Sequence, residues 1–212
     1  MTGRKIKDSV EIVAEPWIGS PYYTDAEKFT FVFWSDESSF RRYFDELDLE
    51  VVIDLACGHG RHAELIQNKV GKLYLMDVLD ENIAFCKNRL SKNQRIEFIK
   101  NDGCTFRPIE PNSVTAIFCY DSMVHFSPDI VASYLADAYR VLKSHGLALL
   151  HHSNYAAQQD RHFGQNPHAR NYMTFRLFQS FAEMAGLTIV KSEAIKWGND
   201  PDLDRISLLR KD

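Results

Sequence analysis

The chain has 212 residues, 45% hydrophobic and 25% charged, the balance of one compact soluble domain whose core needs no metal or disulfide staple. A net charge of -4 argues against a polyanionic partner, and no apolar run is long enough to span a bilayer or form a signal core. The four cysteines, Cys57, Cys86, Cys104 and Cys119, have no tight pair spacing, so free thiols in a reducing, cytoplasmic setting fit better than a disulfide framework or zinc site.

A single domain is expected, with residues 1–48 as an N-terminal helical flap and 49–212 as the core. Residues 15–23 set Pro16, Gly19 and Pro21 among Trp17, Tyr22 and Tyr23, which predicts an ordered aromatic loop. In residues 38–47, Phe40, Tyr43, Phe44 and Leu47 recur at helical spacing. That helix should pack on the core, and the surrounding aromatics can also close over a ligand.

Residues 51–63 read Val-Val-Ile-Asp-Leu-Ala-Cys-Gly-His-Gly-Arg-His-Ala. A β-branched strand carrying Asp54 near its end gives way to small residues at alternate positions, Ala56, Gly58 and Gly60, and then to a helix. Strand, turn and helix in that order gather backbone N–H groups and a positive helix end at one spot, where an anion or a closely approaching nucleoside belongs.

A second strand, 72–76, ends at Asp77, and a helix follows over 80–90. A third strand, 96–99, ends in Asn101-Asp102-Gly103, and a fourth, 114–120, ends in Asp121-Ser122. Ser127-Pro128 starts the next helix, with Ser as cap and Pro at the first helical position. The fifth strand, 147–150, runs into His151-His152-Ser153-Asn154. After a polar stretch come a helix over 174–185 and two strands, 188–197 and 205–209, around Gly198-Asn199-Asp200-Pro201. Strands alternating with helices predict parallel βαβ units in an open α/β sheet, with the helix-free last pair antiparallel at its end. Ligands of such sheets bind at the carboxyl ends of the strands, where every polar signature named above lies.

The turn after the first strand could serve a dinucleotide or a nucleoside. The dinucleotide fingerprint Gly-x-Gly-x-x-Gly is absent. Asp77, at the second strand's end, suits two ribose hydroxyls in either ligand class. Asp102 discriminates, because a carboxylate there suits the exocyclic amine of adenine.

Together, Val-Ile-Asp-Leu-Ala-Cys-Gly-His-Gly-Arg-His (52–62), Leu-Met-Asp-Val (75–78), Asn-Asp-Gly (101–103), Tyr-Asp-Ser-Met-Val-His-Phe (120–126) and Tyr-Arg-Val-Leu-Lys-Ser-His-Gly (139–146) resemble the class I S-adenosylmethionine-dependent methyltransferases of the small-molecule type. The resemblance runs from residue 50 onward. It implies a Rossmann-like, doubly wound seven-stranded sheet, mostly parallel, with an antiparallel last strand between the fifth and sixth. It implies that Asp54 and the backbone of Ala56, Cys57, Gly58 and Gly60 hold the methionine part of S-adenosyl-L-methionine. Asp77 with Val78 would take the ribose, Asp102 with the Gly103 amide the adenine, and Tyr120 and Asp121 the sulfonium region. Ala56 stands where the family usually has glycine, which is tolerable if its φ stays negative.

The implied reaction is methyl transfer to an oxygen or nitrogen of a small-molecule acceptor, with no metal. His151 and His152, placed after the fifth strand, are the candidate general bases, since histidine titrates near neutral pH. Tyr22, Tyr23, Trp34, His125 and Arg170 are candidate acceptor-wall residues, and His125 suits capping or bracing the helix that follows it better than abstracting a proton. Nucleic-acid acceptors are disfavoured: Tyr-Asp-Ser-Met occupies the place of an Asn/Asp-Pro-Pro-aromatic motif, and no basic stripe occurs. Two alternatives stand beside this expectation, a non-catalytic module keeping the same pocket and a nicotinamide-dependent reductase, the latter opposed by the glycine spacing and Asp102.

Overall fold

A seven-stranded sheet in the order β3-β2-β1-β4-β5-β7-β6 forms the centre of the computed structural model, which describes residues 3–157 and 160–212. Met1 and Thr2 of the expected flap, and Gln158 and Gln159 of the polar stretch, lie outside the described residues. The strands are β1 (Val51–Leu55), β2 (Lys72–Asp77), β3 (Ile96–Lys100), β4 (Val114–Cys119), β5 (Leu142–Ser153), β6 (Leu187–Trp197) and β7 (Asp200–Lys211). The first five pair in parallel, while β7 pairs antiparallel with both β5 and β6. This is the expected doubly wound Rossmann-like sheet.

The strand composition follows from the burial. With helices on both faces the centre of the sheet is dry, so β4 is buried at every position and carries Val-Thr-Ala-Ile-Phe-Cys. On one face α1 (Gly3–Ala14), α7 (Pro128–Val141) and α8 (Phe175–Ala185) pack through Val10, Tyr134, Leu135 and Phe178 against Ile53, Met76 and Ile117. On the other, α4 (Ser39–Phe44), α5 (Arg61–Ile66) and α6 (Asp80–Leu90) pack Phe40, Phe44, Ile66 and Ile83 against Val52, Leu73 and Phe118. Among the described residues no helix is long and apolar enough to cross a membrane.

Two differences from the sequence reading matter for the site. The flap begins with α1, and residues 15–23 resolve into a 3-10 turn (Glu15–Trp17) and the start of α2 (Tyr22–Glu27), followed by α3 (Thr30–Phe33). The second difference is that β5 extends in both directions past its apolar run. At its start Leu142 pairs with Val114 of β4, and from Leu147 to Ser153 the antiparallel β7 offers a partner, so His151 and His152 sit inside the ladder opposite Ile206 and Arg205, not beyond the strand.

Candidate active site

The chain leaves β1 through three left-handed residues at alternate positions: Ala56 at φ 56°, Gly58 at 53° and Gly60 at 76°. The expectation that Ala56 keeps a negative φ is therefore corrected. The turn's geometry requires the left-handed conformation, which costs a residue with a Cβ about 1–2 kcal/mol. Gly58 also has a contact reason to lack a side chain, since a Cβ there would lie 3.0 Å from the Tyr23 ring. The turn aims the Gly58 N–H at Asp77 Oδ2 (3.0 Å), while Asp77 Oδ1 accepts from Leu79 N (2.9 Å) and Asn82 Nδ2 (3.1 Å). Burial raises the Asp77 pKa against the pull of these donors. Asp54, 2% exposed, has an Oδ2 with no hydrogen-bond partner. Its burial, followed by the nearby Asp77 charge, pushes its pKa well up, and Arg61 only partly opposes this.

Above the strand ends lies an empty space of about 950 Å³ that opens to solvent. Of the residues expected at the cofactor, Ala56, Cys57, Gly58, Asp77, Val78, Gly103, Tyr120 and Asp121 line it, and so do Tyr22, Tyr23 and His125 of the expected acceptor wall. Its roof is the flap: Val10, Val13 and Ala14 of α1, then Trp17, then Tyr22, Tyr23, Ala26 and Glu27 of α2. The roof is tied down at several points, among them the Arg89–Glu27 pair and the Gly19 amide on Glu81. The Tyr22 hydroxyl and Arg61 Nη2 (3.0 Å) both donate to Asp121 Oδ2, and Arg61 Nη1 donates to the Ala26 carbonyl (2.8 Å).

Several expected residues lie elsewhere. Asp54 and Gly60 support the turn from outside the cavity wall. Asp102 is turned into its own loop, where its carboxylate accepts from Cys104 N (3.0 Å), Thr105 N (2.7 Å) and Thr105 Oγ1 (2.8 Å). Burial would raise its pKa, but these bonds outweigh it and hold the carboxyl below its usual range. Asn101 and Gly103 wall the cavity on either side of it. Trp34 belongs to the core, packed edge-on against Phe40 and Phe44 with its indole N–H donated to His62 Nδ1 (3.0 Å). Arg170, 2% exposed, is folded under the polar stretch, with Nε donating to Asp204 Oδ1 (2.9 Å).

Neither histidine of β5 offers a free nitrogen to the cavity, which corrects both candidate bases. His151 Nδ1 accepts from the Asp121 amide (3.0 Å), so its proton is on Nε2, which donates to Asp204 Oδ2 (3.1 Å). Burial opposes the charge on Asp204, yet the bonds from His151 and Arg170 hold it at about 2. His152 Nδ1 faces the Ser153 carbonyl (2.9 Å) and so carries the proton, leaving Nε2 to accept from Ser207 Oγ (2.9 Å). Its ring stacks on Phe178 at 3.6 Å, and burial lowers its pKa to about 3.

His125 has the arrangement the other two lack. Its Nδ1 lies 2.8 Å from the Ala169 carbonyl, an acceptor only, so Nδ1 carries the proton and Nε2 keeps its lone pair. The ring lines the cavity, 4.6 Å from the Trp17 ring. Burial, then the Arg170 charge, lowers its pKa to about 4, so it is neutral at pH 7.

His62 and Arg61, at the start of α5, were only partly foreseen. They stood in the motif as helix-start residues, with nothing in the spacing to say they face the ligand space. Because an indole N–H can only donate, the bond from Trp34 forces the His62 proton onto Nε2. That N–H is buried, without a partner, in a ring that lines the cavity.

Residues 52–146 match the family model described as a methyltransferase domain. Among curated proteins, YqeM of Bacillus subtilis (strain 168), whose name assigns it provisionally to the methyltransferases, is 24% identical over 160 residues. That match covers 73% of this chain and 63% of YqeM, so the chain spans less than two thirds of the relative's length. A chain of the complex between the Haloferax volcanii Trm112 methyltransferase activator and a methyltransferase superposes with a TM-score of 0.69 at 13% identity, covering 95% of this chain and 97% of that one. Geranyl diphosphate C-methyltransferase of Streptomyces coelicolor A3(2), solved with Mg2+, a substrate analogue and S-adenosyl-L-homocysteine, gives 0.67 at 13% identity, covering 81% and 74%. At these identities the structural likenesses establish the fold.

Proposed function

We propose that this chain, whose fold is that of the class I S-adenosylmethionine-dependent methyltransferases and whose residues 52–146 match a methyltransferase domain, transfers a methyl group from S-adenosyl-L-methionine to an oxygen or nitrogen of a small molecule. One observation carries the reading: turn residues 56–59 and the Asp77 carboxylate meet at the wall of one roofed cavity. A glycine turn alone serves many nucleotides, but here the Gly58 amide is engaged by the β2 carboxylate and is not kept for a phosphate. Asp77 Oδ2 is instead held ready for ribose hydroxyls.

The residues present fit the cofactor. The Asp77 carboxylate stands at the cavity wall for the ribose hydroxyls, while Asp54, whose Oδ2 has no partner, lies behind the turn and supports it from outside the wall. Gly103, Val78 and Val10 pack together as an apolar stretch of the cavity wall, suited to the face of a purine, with Asn101 beside them. When bound, the cofactor supplies a methyl group already activated by its sulfonium charge. Little beyond positioning is then asked of the protein. The Val10–Glu27 roof excludes water, Tyr120 and Asp121 frame the strand end, and His125 Nε2 takes the proton that an acceptor hydroxyl or amine must lose. Enclosure under this roof favours a small acceptor over a polymer.

Thermal melting with S-adenosyl-L-homocysteine, NAD and NADP side by side tests the cofactor. The expected result is stabilisation by S-adenosyl-L-homocysteine alone. Stabilisation by a nicotinamide cofactor without it would overturn the reading.

A further inference from the structure

Among the described residues, six other than glycine have a left-handed backbone, and three of them lie beside the site: Asp121 at φ 59°, His168 at 49° and Ala169 at 55°. Each is strained, because a Cβ crowds the backbone in this conformation, so each must be held by its surroundings. Two of the three bear directly on the chemistry. Asp121 anchors the roof, and the Ala169 carbonyl fixes the proton of His125 on Nδ1 (2.8 Å).

The bonds that hold these residues converge on one carboxylate. Asp204, on β7, is fully buried and accepts from three donors. His151 Nε2 (3.1 Å) and Arg170 Nη2 (2.5 Å) donate to Oδ2, and Arg170 Nε (2.9 Å) donates to Oδ1. His151 in turn accepts the Asp121 amide on Nδ1 (3.0 Å). The Arg170 fork leaves Nη1 to donate to the His168 carbonyl (2.9 Å), which clamps the strained pair 168–169. Asp204, His151 and Arg170 all lie outside the wall of the roofed cavity.

We infer that Asp204 is the positioning residue of this site: through Arg170 it sets the carbonyl that orients His125, and through His151 it holds Asp121, the anchor of the roof. Its consequence for turnover rests on the methyl-transfer reading above; the network itself does not. Only a carboxylate meets the demand. It accepts from all three donors, whereas an amide in its place sets an N–H against one of them, and the fork or the His151 bond is lost. With the fork lost, the strained pair relaxes and the Ala169 carbonyl leaves His125. The His125 proton is then free to move to Nε2, the nitrogen on which a base needs its lone pair.

The test reads histidine tautomers by two-bond proton–nitrogen NMR on the full chain, labelled with nitrogen-15 histidine and saturated with S-adenosyl-L-homocysteine at pH 7. In the wild type the proton should sit on Nδ1 of His125 and on Nε2 of His151. Asp204→Asn should give His125 a mixture of both tautomers while His152, whose partners are Ser153 and Ser207, keeps its proton on Nδ1. Arg170→Lys, which keeps the charge and loses the fork, should do the same. Transfer of label from methyl-tritiated S-adenosyl-L-methionine into a protein-free metabolite extract should fall by roughly tenfold or more in both variants. An Nε2 proton on His125 or an Nδ1 proton on His151 in the wild type would overturn the proposal without any variant. So would an unchanged His125 tautomer in a folded variant, an equal change at His152, or mixed His125 tautomers with wild-type transfer. Wild-type tautomers as expected, with no transfer of label to any fraction, would instead sink the methyl-transfer reading and leave the network in place.

Discussion

The Tyr22 hydroxyl donates to the Asp121 carboxylate, joining the flap to the end of β4 across 99 positions of sequence. Arg61 donates to the same oxygen and to the Ala26 carbonyl, so this carboxylate anchors the roof over the cavity alongside the Arg89–Glu27 pair. A hydrogen bond to a charged acceptor contributes about 1.5–3 kcal/mol. Tyr22→Phe should therefore loosen the roof: amide exchange in residues 10–27 should quicken, and release of bound S-adenosyl-L-homocysteine should speed up by roughly tenfold or more. Unchanged exchange and release would show that the Tyr22 bond is not what holds the roof and that its other ties, such as Arg89–Glu27, suffice.

Asp77→Ala removes the acceptor for Gly58 N, Leu79 N and Asn82 along with any bonds to a ribose. Loss of paired charge-assisted bonds should cost about 2–4 kcal/mol of cofactor affinity, read by calorimetry. Asp102→Ala should cost far less, because that carboxylate serves its own loop.

His125→Gln should slow turnover by at least roughly a hundredfold, the usual size of a general-base contribution, with cofactor affinity held. His152→Gln should leave turnover close to that of the wild type if the variant folds, since its ring nitrogens are spent on Ser153 and Ser207. The reverse pattern in steady-state rates would restore the β5 histidine as base.

Both histidines also couple folding to pH. Each has a folded pKa below the unfolded value near 6.5, at about 4 for His125 and about 3 for His152. Between pH 6.5 and 4 the unfolded chain binds protons that the folded chain does not, so their contribution to stability falls as the pH falls. Each contributes a slope of up to about 1.4 kcal/mol per pH unit. Asp54 and Asp77, with raised pKa values, act in the opposite sense above the unfolded carboxylate pKa. The difference between wild type and His152→Gln in urea unfolding at several pH values isolates the histidine, and the variant should lose less stability on acidification.

Ala56→Gly should stabilise the fold by up to about 1 kcal/mol, because relief of the left-handed strain exceeds glycine's extra chain entropy. Chemical denaturation measures this directly.

The sheet was legible in the chain because its strands are apolar runs punctuated by Asp54, Asp77, Asn101 and Asp121. Strand ends write themselves in polar residues when both faces are covered. The turn and Asp77 were legible for the same reason. Side-chain direction was not: Asp102 has the right place and the wrong heading, because Thr105 and Cys104 offered nearer donors. The β5 histidines misled because the length of β5 is set by pairing with β7, which no local pattern reveals. His125 appeared as a helix brace, since its free Nε2 depends on a carbonyl 44 residues away. The first helix of the flap was hidden by its charged residues, although Ile6, Val10 and Val13 do recur at helical spacing.

The central claim is that this chain moves a methyl group onto a small molecule. Incubation with methyl-tritiated S-adenosyl-L-methionine and a protein-free, nucleic-acid-free metabolite extract tests it most directly. Label should pass into the small-molecule fraction with wild type and fall sharply with Asp77→Ala and with His125→Gln. Tight binding of S-adenosyl-L-homocysteine with no transfer of label to any fraction would contradict the account.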